Sequence, residues 1–143
     1  MTPRPARIII GIASNMVYKE LSVQSAVEAL RNIFPSIRVS TCMQTAPIEG
    51  IGREYANAVA VAETHFSPET VVRVLKLIES MTGRQKLNRD DIPLDLDLLD
   101  YDGLSFPTLK LPRHSQMNLE FNRRAIEELG IANSLPAQNP INN

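Results

Sequence analysis

Residues 94–99 read LDLDLL, a run in which leucine and aspartate alternate. Successive side chains of a β-strand point to opposite faces, so this period of two predicts a strand with its leucines in a core and its aspartates on the other face. Such a strand suits a sheet that helices cover on one face and that stays accessible on the other. Asp95 and Asp97 then share the accessible face, with Cα atoms about 7 Å apart.

The segments around this strand complete a β-α-β-β-α-β order. Apolar or alternating runs predict strands, and apolar residues at three-to-four spacing predict helices. The strands are expected at 7–13, 36–43, 56–64 and 94–102, and the helices at 21–34, 67–83 and, as an addition after the last strand, 118–130. This order is typical of the ferredoxin-like fold, an α+β sandwich with a mainly antiparallel sheet and helices on one face.

Length and charge limit the class of protein. The 143 residues suit a single domain over 1–143, with a tail after about residue 131 that we expect to be loosely ordered. Because 15 basic and 16 acidic residues nearly cancel, overall charge gives no reason to expect nucleic-acid or membrane binding. The apolar run near the N-terminus is too short to cross a bilayer, so we expect a cytoplasmic protein.

The chain contains one cysteine, Cys42. A single cysteine forms no intrachain disulfide, and this suits a reducing compartment. Because Cys42 falls inside the strand predicted at 36–43, we expect it to be a small buried thiol.

Two carboxylates on one strand face repel each other. A divalent cation between them removes that penalty, and Mg²⁺ binds one or two protein carboxylates together with water and substrate phosphates. The pair Asp95 and Asp97 therefore suggests metal-assisted phosphoryl chemistry. The other interpretation is a solvated acidic face of an amphipathic strand, and the tripeptide DLD alone favours it.

Basic side chains precede and follow the aspartate pair along the chain. They are Arg84, Lys86, Arg89, Lys110, Arg113, His114, Arg123 and Arg124. Such cations near paired carboxylates fit a site where a polyphosphate bridges metal and basic groups. A scatter of solvated surface charges is the alternative interpretation.

Several short motifs follow one another along the chain in a specific order. They are ASN at 13–15, QTAPIEG at 44–50, YAN at 55–57, IESMTGR at 78–84, LDLDLL at 94–99 and LPRH at 111–114. This order resembles the 6-hydroxymethyl-7,8-dihydropterin pyrophosphokinase family of the folate pathway, over residues 7 to about 121. The resemblance implies a ferredoxin-like fold, and it implies transfer of the terminal diphosphate of ATP to the hydroxymethyl group of the pterin, with release of AMP.

The resemblance also implies a pterin site. Tyr55 and Phe121 would stack on the pterin, and the amide of Asn57 would bond its polar edge. The long loop at 44–55 would line the pocket with three more residues, which are Thr45, Pro47 and Ile48.

An ATP site follows from the same resemblance. Asp95 and Asp97 would hold two Mg²⁺ ions that bridge the ATP phosphates. Arg84, Lys86 and Arg89 would act with them in catalysis. The residues expected to bind ATP are Glu79, Arg84, Lys86, Lys110, Arg113 and His114.

The chain departs from the family pattern mainly among the cations. Ile92 stands where the family usually has an arginine, and Lys86 stands where a second arginine is usual. The favoured function is an active Mg²⁺-dependent pyrophosphokinase, expected to be a monomer that uses ATP and the pterin. The alternatives are a relative that binds pterin or nucleotide with little or no transfer, and an unrelated ferredoxin-like interaction module.

Overall fold

The structure of this chain is a computed structural model. It describes residues 3–47, 52–82, 89–106, 109, 111, 117 and 119–135.

A five-stranded antiparallel sheet forms the centre of the described fold. Its strands are β1 (Ala6–Ser14), β2 (Arg38–Val39), β3 (Met43–Thr45), β4 (Tyr55–Thr64) and β5 (Asp95–Tyr101). The strand order is β2-β4-β1-β5, and β3 pairs with β4 beside β2. The helices are α1 (Lys19–Ile33), α2 (Pro68–Met81) and α3 (Glu120–Glu128). The α+β class and the antiparallel sheet are therefore confirmed.

The first two helices cover one face of the sheet. Alternate strand residues, such as Ile8, Ile10 and Leu96, are buried there with Leu30 of α1 and Leu75 of α2. The period of two in the sequence comes from this core, because only every second strand residue faces the helices.

Helix α3 packs on the opposite face, where a second apolar cluster joins Ile9, Val59 and Leu99 to Ala125 and Ile126. This differs from the expectation that the helices lie on one face only. The reason is that α3 is amphipathic and the strands present apolar residues to both faces at this end of the sheet. The second face therefore stays accessible only at its other end.

Helix α2 begins as its sequence indicates. The side chain of Ser67 accepts a hydrogen bond from the backbone N–H of Thr70 at 3.2 Å, and Pro68 occupies the first turn. The serine oxygen satisfies one orphan N–H of the helix start, and the proline has no N–H that would need a partner.

Strand β5 contains a bulge. Ile10 of β1 pairs with Leu98 and Ile9 pairs with Asp100, so Leu99 is an extra residue in the register. Leu99 joins the second apolar cluster beside Ile9. The aspartates before the bulge keep the strict alternation of the strand.

The strand predicted at 36–43 is interrupted. Ser40 breaks it into β2 and β3 because its hydroxyl oxygen accepts a hydrogen bond from the backbone N–H of Val59 at 3.0 Å, and a side chain thus replaces a ladder acceptor. Cys42 lies in this interruption and is exposed. The expectation of a buried thiol was therefore wrong, because the strand that would have buried it does not continue through residue 42.

The chain beyond α3 is ordered for several residues. Ile131 is buried, and Ala132–Ser134 form a 3-10 turn next to Leu135, which packs on the second apolar cluster. The rest of the predicted tail lies outside the described residues. Among the described helices, none combines the length and apolarity needed to cross a bilayer.

Candidate active site

The strand register brings the predicted metal and pterin residues onto one sheet face. Ala13 of β1 lies between Asn57 of β4 and Asp95 of β5, and Gly11 lies next to Asp97. Directly paired residues of antiparallel strands project to the same face, and neighbouring strands are about 4.8 Å apart. The Cα atoms of Asn57 and Asp95 are therefore about 10 Å apart across β1. This face is the one opposite α1 and α2.

Two small residues form the floor between the two sides. A Cβ atom on Gly11 would lie 3.4 Å from Cδ1 of Leu99, and Ala13 carries only a methyl group. Larger side chains at these positions would fill the space above the sheet. Their absence leaves a cavity of about 570 Å³.

The cavity collects most of the predicted site residues that the structure describes. These are Thr45, Pro47, Tyr55, Asn57, Arg89, Asp95, Asp97 and Phe121. Six more predicted residues lie outside the described part of the chain: Ile48, Arg84, Lys86, Lys110, Arg113 and His114.

Aromatic and amide groups form the side of the cavity next to β4. Asn57 is buried, with 7% of its surface exposed, and its amide nitrogen donates a hydrogen bond to Oγ1 of Thr45 at 2.5 Å. Tyr55 and Phe121 are both half-buried. A fixed amide between two partly exposed rings is able to bind a flat heterocycle by stacking and by hydrogen bonds at its edge.

Paired carboxylates form the side next to β5. Burial and the neighbouring Asp97 carboxylate raise the pKa of Asp95 to about 7, with a hydrogen bond from the protonated group to Asp97 contributing. The two groups thus share a proton when no cation is present. A cation between them would replace that proton, so the donor chemistry fits a hard divalent ion.

The two aspartates would not complete a coordination shell. The described residues contain no group of three or more side chains able to hold a metal ion. Mg²⁺ commonly takes one or two carboxylates and completes its octahedron with water and phosphate oxygens. The pair therefore fits an ion that arrives with a phosphate ligand better than a closed structural site.

Glu79 lies behind the aspartates rather than in the cavity lining. Its Oε2 accepts a hydrogen bond from the backbone N–H of Leu96 at 2.7 Å, and its Oε1 accepts one from Nζ of Lys76 at 3.2 Å. Leu96 separates Asp95 from Asp97 along β5. Glu79 therefore fixes the strand that presents the two aspartates.

Asn15 holds the segment that leads into β5. Its Nδ2 donates to the carbonyl of Asp90 and its Oδ1 accepts from the N–H of Ile92, both at 2.7 Å. Its backbone N–H donates to the carbonyl of Ile92 at 3.1 Å. Asn15 stands in the ASN motif, but no sequence pattern indicates its partners, which are 75 and 77 residues away.

The cavity lining also includes residues that the sequence patterns did not single out. Arg53 forms an ion pair with the buried carboxylate of Asp91, and both side chains line the cavity. Both residues lie in loops, where no periodic pattern marks them. The one sequence feature near Arg53 is the preceding glycine, Gly52, a residue type common in turns. In the structure Gly52 has a φ of +101°.

Comparisons with known proteins agree with this geometry. The sequence profile described as 7,8-dihydro-6-hydroxymethylpterin-pyrophosphokinase (HPPK) matches residues 9–130. A Haemophilus influenzae protein named 2-amino-4-hydroxy-6-hydroxymethyldihydropteridine pyrophosphokinase is 29% identical over 118 residues, which cover 78% of this chain and 74% of that protein.

Two chlamydial relatives are longer proteins. The folate synthesis bifunctional proteins of Chlamydia muridarum and Chlamydia trachomatis are 28% and 26% identical over 107 residues, or 69% of this chain. The chain spans about a quarter of their length, since the match covers 24% of each. Because the profile match spans most of the sequence and agrees with the site residues on one sheet face, the chain belongs to the 7,8-dihydro-6-hydroxymethylpterin-pyrophosphokinase family.

Proposed function

We propose that this chain transfers the terminal diphosphate of ATP to 6-hydroxymethyl-7,8-dihydropterin and releases AMP, a step of folate biosynthesis. The observation that carries the proposal is the division of one cavity into two sides. Rings and a fixed amide line the side next to β4, and paired carboxylates line the side next to β5. A transferase for a heterocyclic alcohol and a nucleotide needs both sides within reach of one another.

The pterin would bind between Tyr55 and Phe121, with its polar edge on Asn57. An amide offers two N–H donors and one carbonyl acceptor, and the bond to Thr45 uses one donor and fixes the plane of the group. This pose directs the hydroxymethyl group towards Asp95 and Asp97. Its hydroxyl oxygen loses its proton to water and attacks the β-phosphorus of ATP. The bond from that phosphorus to the oxygen bridging the α-phosphorus breaks, and AMP leaves with the bridging oxygen.

Asp95 and Asp97 would hold two Mg²⁺ ions together with the ATP phosphates. Mg²⁺ bound there would neutralise phosphate charge and stabilise the transition state of in-line attack. Glu79 keeps the aspartates in place through the N–H of Leu96. Arg89, which we assign to catalysis with Arg84 and Lys86, lines the same cavity. The basic residues that we assign to ATP binding are Arg84, Lys86, Lys110, Arg113 and His114.

A direct assay tests the proposal. Purified protein is incubated with ATP, Mg²⁺ and the hydroxymethyl dihydropterin, and AMP and the pterin diphosphate are measured together. We expect the two products in equal amounts, and no AMP when the pterin is omitted. AMP formation at background level in the complete mixture rules out the transferase.

Substitution of the aspartates tests the metal assignment. Asp95→Asn and Asp97→Asn each remove a hard ligand without changing side-chain size, so we expect turnover to fall by about 100-fold or more. Glu63→Gln is the matched control, since it removes an exposed carboxylate at the far end of β4. Full activity of either asparagine variant contradicts the assignment, provided that Glu63→Gln matches the wild type.

A second candidate function is binding of pterin or nucleotide with little or no transfer. The observation in its favour is Ile92, an uncharged residue that lines the cavity close to the aspartates. This function predicts that pterin or Mg²⁺-nucleotide raises the melting temperature while AMP stays at background, because a bound ligand stabilises the folded state. The family match over residues 9–130 excludes the third alternative, an unrelated interaction module.

A further inference from the structure

The ion pair between Arg53 and Asp91 joins two loops across the rim of the cavity. Arg53 follows Gly52 in the loop before β4, and Asp91 lies in the segment before β5. Nη2 of Arg53 bonds Oδ1 of Asp91 and is also 3.7 Å from the sulfur of Met16. Both charged residues line the cavity.

The burial of the two partners is very unequal. The side chain of Asp91 is 2% exposed, whereas that of Arg53 is 49% exposed. A buried carboxylate holds a guanidinium firmly, because the attraction between the two charges is strong where water is excluded. A guanidinium has five N–H donors in a planar fork, so one edge is able to bind Asp91 while another faces the cavity.

Arg53 and the aspartate pair line the same cavity. Asp91 is four residues before Asp95, so their Cα atoms are at most about 14 Å apart. Asn15 fixes the segment between them through Asp90 and Ile92. A bridging cation would hold an anion at Asp95 and Asp97. If this anion extends along the cavity, it comes within reach of Arg53.

The charge of the cavity creates a need for this cation. The described lining residues include four aspartates, Asp90, Asp91, Asp95 and Asp97, but two arginines, Arg53 and Arg89. Ile92, between the aspartate pair and the ion pair, adds no charge. A polyphosphate entering this cavity meets carboxylates unless metal ions and these two guanidinium groups compensate for them.

We propose that Arg53 is a phosphate-binding residue for the nucleotide and that Asp91 is a positioning residue that orients its guanidinium. Arg53 binds the phosphate through charge-assisted hydrogen bonds, and Asp91 acts only through Arg53. This inference rests on the proposed function for the identity of the anion.

Binding measurements on four variants test this assignment: Arg53→Gln, Arg53→Lys, Asp91→Asn and the double variant Arg53→Gln/Asp91→Asn. The double variant Arg53→Gln/Asp91→Asn removes both charges, so it leaves no uncompensated carboxylate in the interior. Arg53→Lys keeps the charge and loses the fork, and Asp91→Asn removes only the anchor. Isothermal titration gives the dissociation constants for α,β-methylene-ATP with Mg²⁺ and, separately, for 6-hydroxymethyl-7,8-dihydropterin.

The double variant is expected to bind the nucleotide analogue about tenfold or more weakly than the wild type, with pterin affinity within about twofold. Arg53→Lys is expected to recover most of the loss. Asp91→Asn is expected to weaken nucleotide binding when Arg53 is present and to add nothing in an Arg53→Gln background. Arg73→Ala, which removes an exposed cation from α2, is the control and is expected to match the wild type.

Two results overturn the inference. One is nucleotide affinity of the double variant within twofold of the wild type. The other is a parallel loss of pterin and nucleotide affinity together with a lower melting temperature, which indicates a loop strap with no contact to phosphate. If nucleotide binding depends on Arg53 but no AMP forms, the proposed function is contradicted and the inference about Arg53 stands. If AMP forms equally well in the Arg53 variants, the proposed function stands and the inference is contradicted.

Discussion

The carboxyl groups of Asp95 and Asp97 repel each other at a position that their strand fixes. Moving one of them to the other face of the sheet would require a change of register, because β1 and the Glu79 contact hold β5. The pair responds by retaining a proton, which is why the pKa of Asp95 rises to about 7 under burial and the charge of Asp97. At the scale of single residues, the strand thus holds two carboxylates in a repulsive arrangement, and a divalent cation would remove this repulsion.

This proton makes the stability of the metal-free protein depend on pH. Asp95 titrates near 7 in the folded state and near 3.9 in the unfolded state, so the folded state binds more protons between these values. The stabilising contribution of the protonated group is complete below about pH 4 and is lost as pH rises through about 7. We expect the melting temperature in EDTA to fall over this window more in the wild type than in Asp97→Asn.

The comparison with Asp97→Asn isolates the pair, because all other titrating groups are common to both proteins. Equal pH profiles of the two proteins contradict the shared proton. Binding of Mg²⁺ releases this proton, so adding Mg²⁺ with the nucleotide analogue is expected to stabilise the wild type more at pH 8 than at pH 6.

At the scale of elements, α2 and β5 are joined by a side chain that crosses from helix to strand. β5 is an edge strand of the described sheet, and Glu79 satisfies the N–H of Leu96. The carboxylate is only 18% exposed, so water does not replace it easily. The helix therefore helps to fix the position of the strand that carries the two aspartates.

Glu79→Ala removes this acceptor, and we expect it to lower the free energy of unfolding by about 1–3 kcal/mol and to weaken nucleotide binding. Glu79→Gln retains an amide oxygen that is able to accept from Leu96, so we expect a smaller loss of stability. Urea denaturation with titration of the nucleotide analogue measures both effects. Equal stability of the alanine variant and the wild type would show that the contact is dispensable.

At the scale of the whole molecule, the sheet separates two apolar clusters with different relations to the cavity. The cluster beneath α1 and α2 supports the strands from behind. The cluster beneath α3 lies on the same face as the cavity, and α3 also supplies Phe121 to its lining. A packing defect in the second cluster therefore moves a cavity residue, whereas a defect in the first does so less directly.

Ile126 and Leu30 provide a matched test, since both are fully buried, one in each cluster. Ile126→Ala and Leu30→Ala are each expected to cost about 2–5 kcal/mol of stability. We expect only Ile126→Ala to weaken pterin binding when both variants are measured well below their melting temperatures. Thermal unfolding gives the first quantity and titration with the pterin the second. Equal pterin affinities of the two variants contradict the link between α3 and the site.

The sequence predicted most of the fold and the side of the cavity next to β5 because periodic patterns report which face a residue occupies. The side next to β4 was implied by the family resemblance. Asp95 and Asp97 were expected on one face, and the register places them there. The side of the sheet chosen by α3 was not predicted, because its amphipathic pattern shows one apolar face but not the surface that this face meets.

Contacts between distant loops left no signal in the sequence. Arg53 and Asp91 are 38 residues apart in segments without periodicity, so nothing indicated their pairing. Ser40 looked like one more strand residue, yet its hydroxyl interrupts the strand and exposes Cys42. Each of these features depends on one side chain finding one partner, and hydrophobic patterns do not record such events.

The bulge in β5 determines where this strand can change in length. A deletion between Asp95 and Leu98 would turn the preceding side chains over, placing the carboxylate of Asp95 in the core and a leucine in the cavity. A deletion at Asp100 would instead leave Leu99 opposite Ile9 and Tyr101 opposite Ile8, as in a regular ladder. The bulge is thus the point in β5 where a residue can be lost while the aspartates keep their direction.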